Sequence, residues 1–78
     1  MEKQKSTRRE RFEKYATRRV QNILSNLDRL ENCSNRNNYE YYENDVKKII
    51  RAISDRLKDV ENEFNKQLNK GKKTTFSL

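Results

Sequence analysis

The side chains in this chain that could do chemistry are overwhelmingly cationic: ten lysines and nine arginines stand against one cysteine and no histidine. Without histidine, the group most often used for proton transfer near neutral pH is missing. The chain has a single glycine and no Gly-rich phosphate loop, and neither a G-x-S-x-G nor a paired-cysteine motif occurs. Cys33 sits beside asparagines with no base in the neighbouring sequence, so it reads as a small residue packed at a helix end rather than a nucleophile. One thiol without histidine makes no zinc site. Asp45, Asp55 and Asp59 fall on the solvated side of a helix rather than in a metal-ligand spacing. The sequence therefore predicts no catalytic residue, no metal and no cofactor, and a protein that is not an enzyme.

What remains is binding chemistry. On a helical wheel Arg11, Lys14, Arg18 and Arg29 fall on one side, with Arg8 at its margin. Residues 1–19 carry eight basic and three acidic side chains, a net +5. From Arg11 to Arg29 a helix rises about 27 Å, long enough to meet several phosphates. Such contacts are driven by counterion release and need no sequence motif. The whole chain has a formal net charge of +7 and an isoelectric point near 9.8. The basic face predicts contact with DNA or RNA, or with an acidic or nucleic-acid-binding protein. No helix-turn-helix, zinc-finger or other reader motif accompanies it, so nothing points to sequence-specific readout. Arg36 with Tyr39, Tyr41 and Tyr42 forms a second set. These side chains suit stacking on unpaired bases, a hot spot for a protein partner, or a cap over the end of a helix pair.

The elements that must position these groups are two helices. The first is predicted over 8–32. Thr7-Arg8-Arg9-Glu10 fits a capping box at its start. Phe12, Ala16, Val20, Ile23, Leu27 and Leu30 recur at steps of three and four and make one apolar face, widened by Tyr15 and Leu24. Glu10 and Lys14 stand four apart in the favourable order for an ion pair. Asn32-Cys33-Ser34-Asn35 marks the end, where an asparagine can close the helix in the left-handed conformation. A connector over 33–43 follows, with Asn35, Asn37 and Asn38 favouring turns. The second helix is predicted over 44–70. Glu43 and Asp45 suit the positive end of its dipole, and Asn44 is a better N-cap by chemistry than Tyr42. Its stripe is Val46, Ile49, Ile50, Ile53, Leu57, Val60, Phe64 and Leu68, the strongest periodic signal in the chain. Gly71 follows as a C-terminal cap. Residues 1–7 read as a flexible N-terminus, and residues 71–78 as a flexible basic tail carrying Lys72 and Lys73.

Length and composition turn this pattern into an expectation about association. The chain has 78 residues, of which 31% are hydrophobic and 40% charged. So short a chain is marginal without help from disulfides, metals or association. A single cysteine excludes an intrachain disulfide, which leaves association. Two stripes pressed together enclose a seam and not a core. The predicted fold class is therefore all-α: an antiparallel two-helix hairpin that dimerises into a four-helix bundle. In that arrangement Phe12, Val20, Ile23, Leu24, Leu27, Leu30, Val46, Ile49, Ile50, Ile53, Leu57, Val60 and Phe64 make the core and the interface of a homodimer. The apolar runs are too short for a membrane span, no membrane partner is expected, and Met1-Glu2-Lys3-Gln4-Lys5-Ser6 has no apolar signal core. An unpaired cysteine suits a reducing compartment, so the expected location is cytoplasmic. The abundance of Asn, Lys, Ile and Tyr, all with A/T-rich codons, suggests a low-GC bacterium, its phages or its plasmids.

Asn32-Cys33-Ser34-Asn35-Arg36, Tyr39-Glu40-Tyr41, Asp45-Val46-Lys47-Lys48-Ile49 and Ala52-Ile53 together resemble a pattern in small uncharacterised helical proteins of Gram-positive bacteria and their mobile elements. The resemblance spans about Arg11 to Phe64. It implies a context and no activity, and it carries over no functional residue. The expected function is that of a small nucleic-acid-associated accessory or regulatory protein. The alternatives are a protein-binding inhibitor or adaptor, such as a phage counter-defence (anti-CRISPR-like) protein, and a purely structural helical oligomer.

Overall fold

The structure, a computed structural model, describes residues 6–70. It is all-helical there: α1 runs Thr7–Asn32 and α2 runs Glu43–Asn69, with no strand among the described residues. The chain divides into two units, one carrying α1 and one carrying α2, with the boundary between Glu40 and Tyr41. The predicted flexible segment 71–78, Gly71 as a cap, and most of segment 1–7 lie outside the described residues.

The start of α1 differs from the expected capping box. Ser6, not Thr7, is the N-cap: its backbone is extended and its hydroxyl accepts from the Arg9 N–H at 3.0 Å. Thr7 is already the first helical residue, so its N–H is no longer the one that Glu10 would reach back to. The Glu10 N–H donates to the Ser6 carbonyl at 3.0 Å and closes the first turn. Serine and threonine both carry a capping hydroxyl, with serine the better cap, and adjacent capping residues leave a sequence reading one residue of slack. The first-turn ion pair also differs. Arg9 meets Glu13 at 3.6 Å, while Lys14, expected beside Glu10, lies over the Tyr15 ring at 5.5 Å from its centre.

The end of α1 needs no left-handed residue. Cys33 is the C-cap in the right-handed region, with φ −70° and ψ −9°. The last carbonyls are met by tightened turns: Cys33 N–H donates to Leu30 at 2.9 Å and Ser34 N–H to Glu31 at 2.9 Å. Asn35 then builds the next turn by itself. Its side-chain oxygen accepts from the Asn37 N–H at 3.0 Å, and its carbonyl accepts from Asn38 at 3.1 Å and Tyr39 at 3.0 Å. This is the local side-chain chemistry that makes asparagine a turn residue.

In α2 the N-cap is Tyr42 and not Asn44. A phenol hydroxyl stands too far from its own backbone to cap a helix. The capping contact runs the other way: the Asp45 carboxylate accepts from the Tyr42 N–H at 2.8 Å. Asp45 therefore supplies both a hydrogen bond and a negative charge to the positive end of the dipole, with Glu43 beside it. Lys66 in the last turn complements the other end, and Lys70 is the C-cap. Exposed pairs Glu43–Lys47 (3.3 Å), Arg51–Asp55 (3.9 Å) and Lys58–Glu61 (3.3 Å) lace the helix. Each such pair stabilises it by only about 0.3–0.5 kcal/mol.

No described residue is buried. The stripe of α2 lies open, from Val60 at 37% exposure to Leu68 at 70%. On α1, Ala16 and Leu30 are half-buried while Phe12, Val20, Ile23, Leu24 and Leu27 are exposed. Covering a large aliphatic side chain stabilises by about 1.5–3 kcal/mol. The two stripes thus hold most of the hydrophobic free energy available to this chain.

Candidate nucleic-acid interface

The basic set is carried by α1, an uninterrupted helix of 26 residues with neither glycine nor proline in it. Regular helix at about 100° per residue is what brings Arg11, Lys14, Arg18 and Arg29 to one face, opposite the Val20–Ile23–Leu27 side. All four are exposed. Among the described residues no ion pair engages Arg8, Arg11, Arg18 or Arg29. Their charge is not spent on neighbouring carboxylates. Within its bounds α1 carries seven basic and four acidic side chains, whereas α2 carries six of each. The excess positive charge of the helical part therefore belongs to α1.

The structure adds a feature that the sequence reading missed. Arg8, Phe12, Tyr15 and Arg19 follow each other at steps of four, three and four, and with Arg11 they line a shallow depression on α1. Arg9 stands over the Phe12 ring at 5.6 Å, on the opposite side of that ring from Tyr15 by helical position. Cations over aromatic faces are attracted by the ring quadrupole. Arg19 was not among the predicted site residues. The signal that finds it is its place between the two aromatic residues on the wheel, at the border of the basic face and the apolar stripe. The first half of α1 thus offers guanidinium groups beside two flat ring faces.

The tyrosine set is divided between the two units. Tyr39 and Tyr42 are 52% and 65% exposed, and Tyr41 is half-buried. Arg36 is exposed in the turn that Asn35 builds. The backbone of Tyr42 is committed to the start of α2, so its ring projects from a fixed point. Tyr39 and Arg36 stand on the α1 side of the unit boundary and Tyr41 and Tyr42 on the α2 side.

Cys33 is exposed, and its thiol donates a long hydrogen bond to the Arg29 carbonyl at 3.8 Å. That is a contact at a helix end, with no base in it. Asp45 is engaged at the α2 cap and Asp55 with Arg51. Among the described residues no three His, Cys, Asp or Glu side chains gather as a metal site would require. No described helix is long and apolar enough to cross a membrane. No protein-family model, curated protein or solved structure matches the chain.

Proposed function

We propose that this is a small, non-enzymatic, nucleic-acid-associated accessory or regulatory protein of a bacterium, a phage or another mobile element, acting in the cytoplasm. The observation that carries the reading is the face of α1, where Arg11, Lys14, Arg18 and Arg29 stand exposed with no carboxylate paired to Arg11, Arg18 or Arg29 among the described residues. Such a linear array of cations fits the phosphates of a nucleic-acid backbone. The ring faces of Phe12 and Tyr15 beside Arg8, Arg11 and Arg19 add a place for unpaired bases. The exposed stripes support the association half of the proposal: the helices form an antiparallel hairpin, and two copies close into a four-helix bundle. The bundle buries the apolar faces and leaves two basic faces outside.

Fluorescence anisotropy against duplex and single-stranded oligonucleotides tests the reading. Binding that weakens steeply with salt is the expected result. No binding at low salt, or binding indifferent to salt, refutes it. A second reading, a protein-binding inhibitor or adaptor, draws on the exposed Tyr39 and Tyr42 with Arg36, since Tyr and Arg are over-represented at interface hot spots. It predicts one stoichiometric protein partner that survives nuclease treatment.

A further inference from the structure

The stripe of α2 has an internal symmetry that its exposure makes consequential. Val46, Ile50, Ile53, Leu57, Val60 and Phe64 follow at steps of four, three, four, three and four. That order reads the same from either end. Two copies of α2 laid antiparallel can therefore match each of these six residues with another of them, with Ile49 and Leu68 left on the flanks of the seam. Beyond the run, the same spacing reaches Glu43 at one end and Gln67 at the other, so polar residues bound the seam on both sides.

We propose that α2 is an antiparallel docking surface for α2 of a second copy, in the register that sets Ile53 against Leu57 of the second copy. The other layers are then Ile50 against Val60 and Val46 against Phe64, each made twice. This gives the dimerisation proposed above a defined interface, and it rests on the dimer and not on nucleic-acid binding.

Three observations select this occupant and this direction. The first is packing. In a parallel pair each residue would face its own copy, with the β-branched Val46, Ile53 and Val60 in d-type positions and Ile50, Leu57 and Phe64 in a-type positions. Two-stranded parallel coils favour β-branched residues at a and leucine at d, a preference that only Ile50 meets here. The antiparallel register mixes the two sets in every layer and matches the smallest side chain, valine, with the largest, phenylalanine.

The second is shape. Val60, Glu63, Phe64 and Gln67 are the four residues that frame one hole on a helix surface, and with Arg56 and Asp59 they line a shallow depression on α2. In the proposed register Val46 of the second copy arrives at that level as the knob.

The third is charge. Lys47 and Glu61 share one flank of the stripe, seven residues on either side of Ser54. The register brings Lys47 beside Glu61 of the second copy, twice, with the small Ser54 at the two-fold axis. Both side chains are open to such a contact: Lys47 is 71% exposed in its pair with Glu43, and Glu61 is 59% exposed in its pair with Lys58. On the other flank Arg56 meets Arg56 of the second copy, an unfavourable contact that makes the direction testable.

The full chain carrying Cys33→Ser serves as background. Val46→Cys and Phe64→Cys chains, mixed under mild oxidant, are expected to give a mixed disulfide. Val46→Cys alone is expected to give none, because the two thiols lie about 27 Å apart along the seam. A Val46→Cys homodisulfide, or no mixed disulfide, overturns the proposal. Sedimentation provides an independent readout. Lys47→Glu is expected to raise the dimer dissociation constant on the order of tenfold, and Lys47→Glu with Glu61→Lys to restore it. Arg56→Gln is expected to tighten the dimer. In a parallel pair Arg56 would instead meet Glu61 of the second copy, so weakening by Arg56→Gln overturns the antiparallel direction, as does failure of the double reversal to rescue. Oligonucleotide binding is measured on the same samples. Its loss with the mixed disulfide intact refutes only the functional reading, and the converse result refutes only the seam.

Discussion

The double substitution Arg11→Ala, Arg18→Ala removes two cations from one face of α1 and little else. Neither side chain holds an ion pair among the described residues, both are exposed, and alanine is the best helix former. Far-ultraviolet circular dichroism should therefore be unchanged. The magnitude on binding follows from counterion release. If Arg11, Lys14, Arg18 and Arg29 each neutralise one phosphate of duplex DNA, log K falls with log[salt] at a slope of about −3.6 per copy. The face rises about 27 Å, over which one strand presents about eight phosphates, so four contacts are geometrically available. The double variant should show a slope of about −1.8. Between 50 and 200 mM salt the natural chain should lose about 150-fold in affinity and the variant about 12-fold. The two lines should converge near 1 M salt, which makes the variant about 60-fold weaker at 100 mM. Anisotropy titrations of a labelled duplex at four or five salt concentrations measure both slopes. An unchanged slope in the variant would refute the assignment, even if the chain binds nucleic acid by some other surface.

The remaining predictions concern the helices. Ser6→Ala should destabilise α1 by about 1 kcal/mol, seen as a loss of helicity at its start, because the Arg9 N–H loses its acceptor; Thr7→Ala, at a position that is not the cap, should cost well under half of that. Asp45→Ala should weaken α2 by a similar amount, since it removes both the hydrogen bond to the Tyr42 N–H and a charge at the dipole end; melting of the variant no different from the parent would exclude that cap. Ile53→Asp should abolish self-association in sedimentation and leave a helical signal that no longer changes with dilution, because Ile53 is 38% exposed and the charge is desolvated only when another surface covers it.

The two helices and their stripes were legible because periodic apolar spacing is a local signal and nothing interrupts it. Val46 to Phe64 sits in helix with no glycine or proline to break it, and Phe12 to Leu30 likewise. The ends were less legible, for a physical reason in each case. Ser6 and Thr7 have the same hydroxyl chemistry, and which one caps depends on where the backbone turns. At α2 the side-chain chemistry of a capping residue favours Asn44. The structure uses the reciprocal contact from Asp45, three residues on, and this frees the N-cap position for a residue that caps poorly. Arg19 is not legible as a site residue because it belongs neither to the basic face nor to the apolar stripe and stands on the border between them. The register of a helix pair is written in spacing and flanking charges rather than in residue type. It became readable in α2 only once the stripe was found open along its length.

The seam and the basic face lie on different helices, and this separation makes a further prediction about how they act together. α2 carries equal numbers of acids and bases, so its pairing gathers no net charge from the helix itself. Each copy that joins brings another α1, with its own exposed cations. A dimer engaging both faces would present about eight phosphate contacts and a salt slope near −7, against about −3.6 for one copy. Coupling of this kind raises avidity without any new contact, provided both faces reach the same nucleic acid. Lys47→Glu touches nothing on α1, yet it should lower the salt slope towards the single-copy value at concentrations where the natural chain is dimeric. Adding Glu61→Lys should restore it. A slope that ignores Lys47→Glu, in samples where sedimentation shows the dimer lost, would mean that one α1 binds alone and that association serves stability and not recognition.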